Sequence, residues 1–412
     1  MTITAVALGG TALDLDAVEY SISIAHGRST ITDGPASMNC RIRLVTVDGV
    51  LPSVTVSDAL TIDAYSSRRF TGVVSDAVLS HDPATGRGFL ELSGTGPVSD
   101  LGLIPITPSA WPSEVSADRA ARILTAAGIT SYDTTGTLTV LAQTSDETNA
   151  LDLLTALATD TGAAVFDTPA GAVVFQDLNA RAQSYVDDTW ATVTGIWSAQ
   201  TVTWADAETP AAAPPITLPS SAVAWEPSLE EHRGDIVNRV TIEYGTGTPR
   251  PTHTEDDTVS QAAHKIRAAS MTTELATLTD AQTRAELVLE RLSTPRYQMG
   301  GVSILVDDLT VGERADVLTL TCGSRVVLAD LPQPSPVTSW LGVVEGWQES
   351  YDLTYWDESQ YQARHVITLA LSDPRASYAT VKWSEVTGTR TWANIEAGLI
   401  WADATTDNDL AA

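Results

Sequence analysis

The side chains able to do chemistry are few and scattered. Six histidines (His26, His81, His232, His253, His264, His365) stand far apart in a chain of 412 residues. No Ser/His/Asp or Cys/His set has local support, and the sequence holds neither a GxSxG nucleophile elbow nor an HExxH helix. Cys40 and Cys322 are the only thiols. Neither belongs to a CxxC pair or stands at ligand spacing from a histidine, which argues against structural zinc and for buried, inert thiols.

Phosphate and metal chemistry fare no better. Gly94-Thr95-Gly96 and Gly245-Thr246-Gly247 lack the third glycine and the strand-to-helix setting of a dinucleotide loop. The acidic runs Asp187-Asp188, Glu255-Asp256-Asp257 and Asp307-Asp308 lack the alternating Asp/Asn-plus-Gly layout of a calcium loop, so they read as solvated loop charge. No catalytic, cofactor-binding or metal-ligating residue is assigned, and no cofactor is expected. A cell-wall hydrolase built from any of these carboxylates has nothing in the sequence to select its pair.

The elements that would have to position such residues carry the information instead. Phe70-Thr71-Gly72-Val73-Val74 is followed, after a polar insert, by Phe89-Leu90-Glu91-Leu92-Ser93 and Pro97. Almost the same plan returns as Trp340-Leu341-Gly342-Val343-Val344, a longer insert, His365-Val366-Ile367-Thr368-Leu369 and Pro374. An aromatic, any residue, Gly, Val, Val and then an alternating strand describe one hairpin used twice. Phe70, Gly72, Val73, Val74, Trp340, Gly342, Val343 and Val344 are therefore the candidate residues of two pseudo-equivalent β units. A unit repeated within one chain is the logic of a ring component more than of a catalyst.

The remaining pattern fits five segments. Residues 1–100 read as a first β-barrel-like unit: Tyr20, Ile22 and Ile24 alternate with polar neighbours, Ile42 and Leu44 alternate with Arg41 and Arg43, and Asp33-Gly34-Pro35 and Asp48-Gly49 mark turns. Residues 101–182 read as an α/β insert. Ser116 caps a helix buried through Ala120, Ile123, Leu124 and Ala127. A second helix runs through Ala150, Leu153, Leu154, Leu157 and Ala158, and a hairpin turns at Pro169-Ala170-Gly171. Residues 183–227 form a Trp- and Pro-rich connector. Residues 228–375 form the second β-barrel-like unit with one helix, capped by Thr279 and Gln282, and with Leu318 and Leu320 in a strand. Residues 376–412 form a C-terminal extension with Trp383, Trp392 and Trp401 at nine-residue spacing. The fold class is mainly β, with two barrel-like tube domains related by internal duplication and a small α/β domain.

Composition limits the partners. Hydrophobic residues make up 43% of the chain and charged residues 18%, which is ordinary for a folded protein. No apolar run approaches the roughly 18–20 residues of a membrane span, so no stable membrane insertion is expected. Met1–Ala17 has no Lys or Arg before its short apolar piece and does not read as a secretory signal. A formal charge of −29 disfavours tight binding to phosphate backbones; it suits either a plain acidic surface or a wall past which DNA moves without sticking. Lys265 and Lys382 are the only lysines.

The order of these motifs resembles the tail-tip (baseplate) hub or minor tail proteins of long-tailed siphophages. The residues that carry the resemblance are Tyr20–Arg28, Arg69–Asp76, Gly96–Gly102, Ile236–Val240, Ser293–Arg296, Val311–Arg314, Val344–Trp347 and Leu371–Asp373, spread over residues 15–375. The arginine-for-lysine skew would suit an actinobacterial host. The resemblance implies a non-enzymatic homotrimer whose two tube domains per chain make a pseudo-sixfold ring, matching a sixfold tail tube to a threefold tip around the DNA ejection channel. It implies contacts with the distal tail protein, the tape-measure C-terminus and other tail-tip proteins or fibres. It also implies a place in the virion tail tip, after assembly in the host cytoplasm. The alternative is a peripheral adhesin that grips host polysaccharide through Trp383, Trp392 and Trp401; strand-like runs around the tryptophans favour small cores over a ligand platform, and a subunit contact is a third use.

Overall fold

Period-two alternation in the first hundred residues becomes one face of a sheet. The computed structural model describes residues 3–13, 18–30, 33–46, 50–107, 109–144, 148–183, 215–219, 222–223, 229–231, 236–295, 297–299, 301–331, 338–357 and 360–372, all within one compact unit, Met1–Ala379. Strands β1 (Ile3–Leu8), β2 (Thr11–Ala12), β3 (Val18–Gly27), β4 (Asn39–Thr46), β5 (Ala59–Ala64), β6 (Ser67–His81) and β7 (Gly88–Thr95) pair in the order β3-β4-β7-β6-β5-β1-β2, all antiparallel. Their inward residues, among them Ile22, Ile24, Ile42, Leu60, Ile62, Phe70 and Leu90, are fully buried together. Burying each such side chain contributes about 1.5–3 kcal/mol. The outward Arg41 instead meets Glu91 at 3.2 Å in solvent.

The same sheet continues into the rear of the chain. Strands β8 (Ile216–Pro219), β9 (Val302–Leu305), β10 (Arg325–Ala329), β11 (Trp340–Asp357) and β12 (Gln360–Ser372) complete a 12-stranded sheet. β8 runs parallel to β10, and every other pair is antiparallel. β11, 18 residues long, is the link. Its start pairs with β10, and Gly346–Leu353 then pairs with β3 on that edge while β12 follows the other edge. Around its first half Leu218, Val302, Ile304, Val326, Leu328, Val344, Ile367 and Leu369 make a second core. Tyr351, further along, enters the first. The protein is mainly β: one large curled, almost wholly antiparallel sheet with small α/β elements.

The two helices and the hairpin expected of the first α/β element are present. Helices α1 (Ser116–Ala126) and α2 (Ala150–Thr161) pack on a mixed sheet of Tyr132–Thr135, Val173–Gln176 and Ala164–Asp167. Asn149 caps α2 through Asp152 N–H at 2.8 Å, and Gly162 ends it at φ +66°, the left-handed conformation that favours glycine. Ser116 is not the cap: it is the first helical residue, buried, and its hydroxyl donates to Asp177 at 2.7 Å. Asp177 also begins a short helix, α3 (Leu178–Gln183), by accepting from Ala180 N–H at 2.7 Å.

Two segments behave differently from the sequence expectation. Val240 and Ile242, read as part of the second β unit, lie in a separate three-stranded sheet of Arg239–Glu243, Thr252–Asp256 and Ala268–Thr272. Helix α4 (Leu278–Leu292) covers that sheet, and Leu138 of the first element completes its core. The cap of α4 is Thr277, two residues ahead of the expected Thr279. Leu318 ends a helix, α5 (Val311–Leu318), where a strand was expected. Thr310 and Glu313 form a reciprocal capping box there, which satisfies the first free N–H groups and outweighs the β-branched residues that follow.

Candidate functional site

The two hairpins singled out in the sequence pair with their neighbours in matching register. Gly72 pairs with Leu60 and Phe70 with Ile62; Gly342 pairs with Val326 and Trp340 with Leu328. In each case the aromatic ring folds back over the glycine: a Cβ on Gly72 would meet Phe70, and one on Gly342 would collide with Trp340. Val73 and Val74 pair with Thr95 and Gly94, and Val343 and Val344 with Ser372 and Leu371. A β-bulge follows at once in both, at Ser75 and at Glu345.

The turns entering these hairpins also repeat. Ser57 N–H donates to Val74 O at 2.8 Å and Val74 N–H to Asp58 O at 2.9 Å; Gly323 N–H donates to Val344 O at 2.7 Å and Val344 N–H to Ser324 O at 2.9 Å. Thr55 N–H is held by the Asp58 side chain at 2.8 Å and Thr321 N–H by the Ser324 side chain at 2.9 Å. Ser57 and Gly323 both sit at positive φ, +74° and +92°.

The halves differ in what the strand carries beyond the bulge. On β11 the residues at the bulge and on the inward face are Glu345, Trp347, Glu349 and Tyr351, all buried. Glu345 accepts from Arg28 Nε at 2.9 Å, Arg181 Nη2 at 3.0 Å and Ser372 Oγ at 2.7 Å. Burial acts to raise its carboxyl, and Arg181 and Arg28 overcome it, bringing it down to about 2. These three donors tie the end of β3, α3 and β12 to one carboxylate on β11.

Glu349 is the second node. It accepts from Arg69 Nε at 3.1 Å and Trp347 Nε1 at 2.6 Å, and also from Arg69 Nη2 and the Tyr351 hydroxyl. His26 Nε2 lies 3.4 Å and His365 Nε2 3.7 Å from its oxygens. Arg69 Nη1 donates to Leu318 O at 2.7 Å, which anchors the end of α5. The His26 ring stacks on Trp347 with centroids 4.3 Å apart, and His365 on Tyr351 at 4.0 Å. Burial opposes the charge on Glu349, and Arg69, His26 and His365 nonetheless hold it well below the usual carboxylate range. Burial lowers both imidazoles. Burial and then Glu349 push the Tyr351 phenol well above its ordinary value.

A carboxylate saturated by donors and sealed among rings has no room for a reacting atom; its chemistry is cohesion. Removing one partner of such a buried pair costs about 3–5 kcal/mol because the other charge is left uncompensated. Sequence reading missed these residues, although His26, Arg28, Arg69, Glu345 and Trp347 all lie inside the motifs quoted above. The available signal was periodic: Glu349 takes the inward place between Trp347 and Tyr351, where a plain sheet would put an apolar residue.

The other candidates fall in place around the seam. Asp307, from an acidic run, accepts from Tyr65 Oη at 3.1 Å and His365 N–H at 2.7 Å, and so serves the sheet. Asp187 and Asp188 lie outside the described residues, as do Trp190, Trp197, Trp204, Trp383, Trp392 and Trp401. Cys40 is buried and Cys322 half-buried; both are free, and burial pushes each thiol up to about 12. Among the described residues no group of His, Cys, Asp and Glu has metal-holding geometry, and no helix is long and apolar enough to cross a membrane.

Solved structures with a similar fold include two tail proteins. The 43 kDa tail protein of prophage MuSo2 from Shewanella oneidensis matches with a TM-score of 0.60 at 14% identity, over 92% of this chain and 100% of that one. The tail protein from Neisseria meningitidis MC58 matches with a TM-score of 0.57 at 12% identity, over 91% and 98%. The fold is that of these tail proteins. No protein-family model matches the sequence, and no curated protein does. At such identity the likeness is one of fold alone.

Proposed function

We propose that the chain is a structural, non-catalytic component of a phage tail: a homotrimeric hub at the tail tip that joins a sixfold tube to a threefold end. The observation that carries this reading is the internal repeat. Bulge, aromatic-over-glycine packing and hydrogen-bonded turn recur on β6 and β11, so three chains would present six near-equivalent faces to a tube. The likeness to two tail proteins over nearly their full lengths supports the same reading.

Several finer points belong to the proposal. The two halves descend from one duplicated tube domain, with residues 1–100, 101–182, 183–227, 228–375 and 376–412 as the successive parts. The distal tail protein, the tape-measure C-terminus and further tip proteins or fibres are the neighbours. The siphophage attribution draws on the motif order alone. A net charge of −29 suits a channel wall along which DNA slides.

The experiment is the mass of the native assembly. Purified full-length protein in native mass spectrometry is expected to give three copies. A monomer at every concentration, or a stable dimer, would reject the hub.

A further inference from the structure

The two halves of the sheet differ at one edge. Beyond the Glu345 bulge, Gly346–Leu353 of β11 is paired twice, with β12 and with β3. The corresponding stretch beyond the Ser75 bulge is Asp76–His81 of β6. It pairs with β7, while β5 reaches only as far as Val73. Among the described residues no strand takes the other edge of Asp76–His81. Val78 and Leu79 there are 60% and 52% exposed, whereas Glu349, at the place of Leu79, is wholly buried. An open edge with exposed apolar side chains invites another strand.

The strand that would fill it also has a counterpart in the second half. β3 pairs with β4, which pairs with β7. In the second half Leu229–Glu231 pairs with Tyr297–Met299, and the chain runs on into β9, which pairs with β12. Leu229–Glu231 thus stands where β3 stands, and among the described residues no strand takes its second edge.

The register can be carried over. Counted from Ile42 opposite Leu92 and Val302 opposite Leu369, Met299 takes the place of Asn39. Leu229 opposes Met299 as Ala25 opposes Asn39, and Ala25 opposes Gln348, whose place on β6 is held by Val78. We infer that Leu229–Glu231 of one copy adds, antiparallel, to the open β6 edge of a second copy, with Leu229 opposite Val78. The contact is head-to-tail and closes a ring when its rotation matches the copy number; the β3–β11 pairing inside each chain is its template. At that internal crossing Gly27 and Gly346 bring backbones together, where any Cβ would collide. Glu231 and Asp76 hold the matching places, so pairing between copies begins at Ala77.

This inference uses the trimeric reading only for the number of copies, and the test separates the two. The full-length Val78→Cys, Leu229→Cys double variant is oxidised mildly and run without reductant, beside each single variant. The expected result is a covalent ladder ending at three copies, absent from both single variants. A ladder ending at another number supports the edge pairing and contradicts the trimer. Assemblies of three by native mass that show no cross-link, or a disulfide confined to the monomer, overturn the edge pairing. A second variant, Val78→Glu with Leu79→Glu, alters side chains exposed within the chain. It is expected to keep the parent's thermal transition while the oligomer dissociates; a folded variant with an unchanged oligomer also overturns the inference.

Discussion

Arg69 and Glu349 stand 280 positions apart and meet in the interior, the guanidinium Nε 3.1 Å from both carboxylate oxygens. One comes from the repeated hairpin of the first half, immediately before Phe70. The other comes from the strand that begins with the second hairpin. Their pairing links the two ends of the large sheet through its interior.

Breaking the pair on one side is therefore expected to be severe. Glu349→Gln should lose about 3–5 kcal/mol, because Arg69 remains buried without a countercharge. Urea unfolding followed by tryptophan fluorescence measures it. Arg69→Met combined with Glu349→Leu should recover most of the loss; equal losses in the single and double variants would contradict the assignment.

The repeated glycines make a graded prediction. A methyl on Gly72 would collide with the Thr95 backbone carbonyl, which cannot turn away, whereas one on Gly342 would first meet the Trp340 ring. Overpacking of this kind costs about 1–3 kcal/mol. Gly72→Ala should lie at the upper end and Gly342→Ala at the lower in chemical denaturation. The reverse order would show that the aromatic, not the strand crossing, dictates the glycine.

Acid should act through Glu345. Its carboxyl is brought from 4.5 to about 2 in the folded protein, against burial, by Arg181 and Arg28. A depressed carboxylate stabilises the fold above its ordinary value and loses that contribution as pH falls from about 4.5 towards 2. A shift of this size corresponds to about 3 kcal/mol. The stability difference between the parent and Glu345→Gln, measured from pH 5 down to 2 (about the range set by those values), should shrink as pH falls. A difference constant with pH would mean that Glu345 acts by shape alone.

Asp167 supplies one attachment of the first α/β element to the large sheet. Its carboxylate accepts from Met38 N–H at 3.0 Å, Val98 N–H at 3.0 Å and Ser37 Oγ at 3.2 Å. Asp167→Ala leaves two buried backbone donors unpaired, at about 1–3 kcal/mol each. Hydrogen exchange should quicken at Met38 and Val98 before it does at Ile22 or Ile42. Uniform acceleration across the sheet would show instead that the whole unit unfolds together.

The parts legible in the sequence were those specified by local period. Tyr20-x-Ile22-x-Ile24 and the run Ala150, Leu153, Leu154, Leu157 each carry one face, and each formed the expected element. The aromatic-x-Gly-Val-Val motif is local in sequence, but only at Gly342 is the preceding ring the nearest obstacle; at Gly72 it is the Thr95 carbonyl of a neighbouring strand. What escaped was long-range. Alternation in Val240 and Ile242 announces a strand but not which sheet it joins, and it joined a separate one. Nothing in the sequence paired Glu349 with Arg69, 280 positions away, or showed that His365 stacks on Tyr351, its partner across the β11–β12 pair. α5 shows the opposite failure, since the Thr310–Glu313 capping box was present in the sequence and was passed over for a β pattern.

The central claim is that this chain forms the axial ring of a tail tip, and its place in the particle tests that most directly. Electron cryomicroscopy of isolated tails with a tag on this chain should show three tagged copies around the tail axis, next to a sixfold ring. Tag density off the axis, or six copies in one ring, would contradict it.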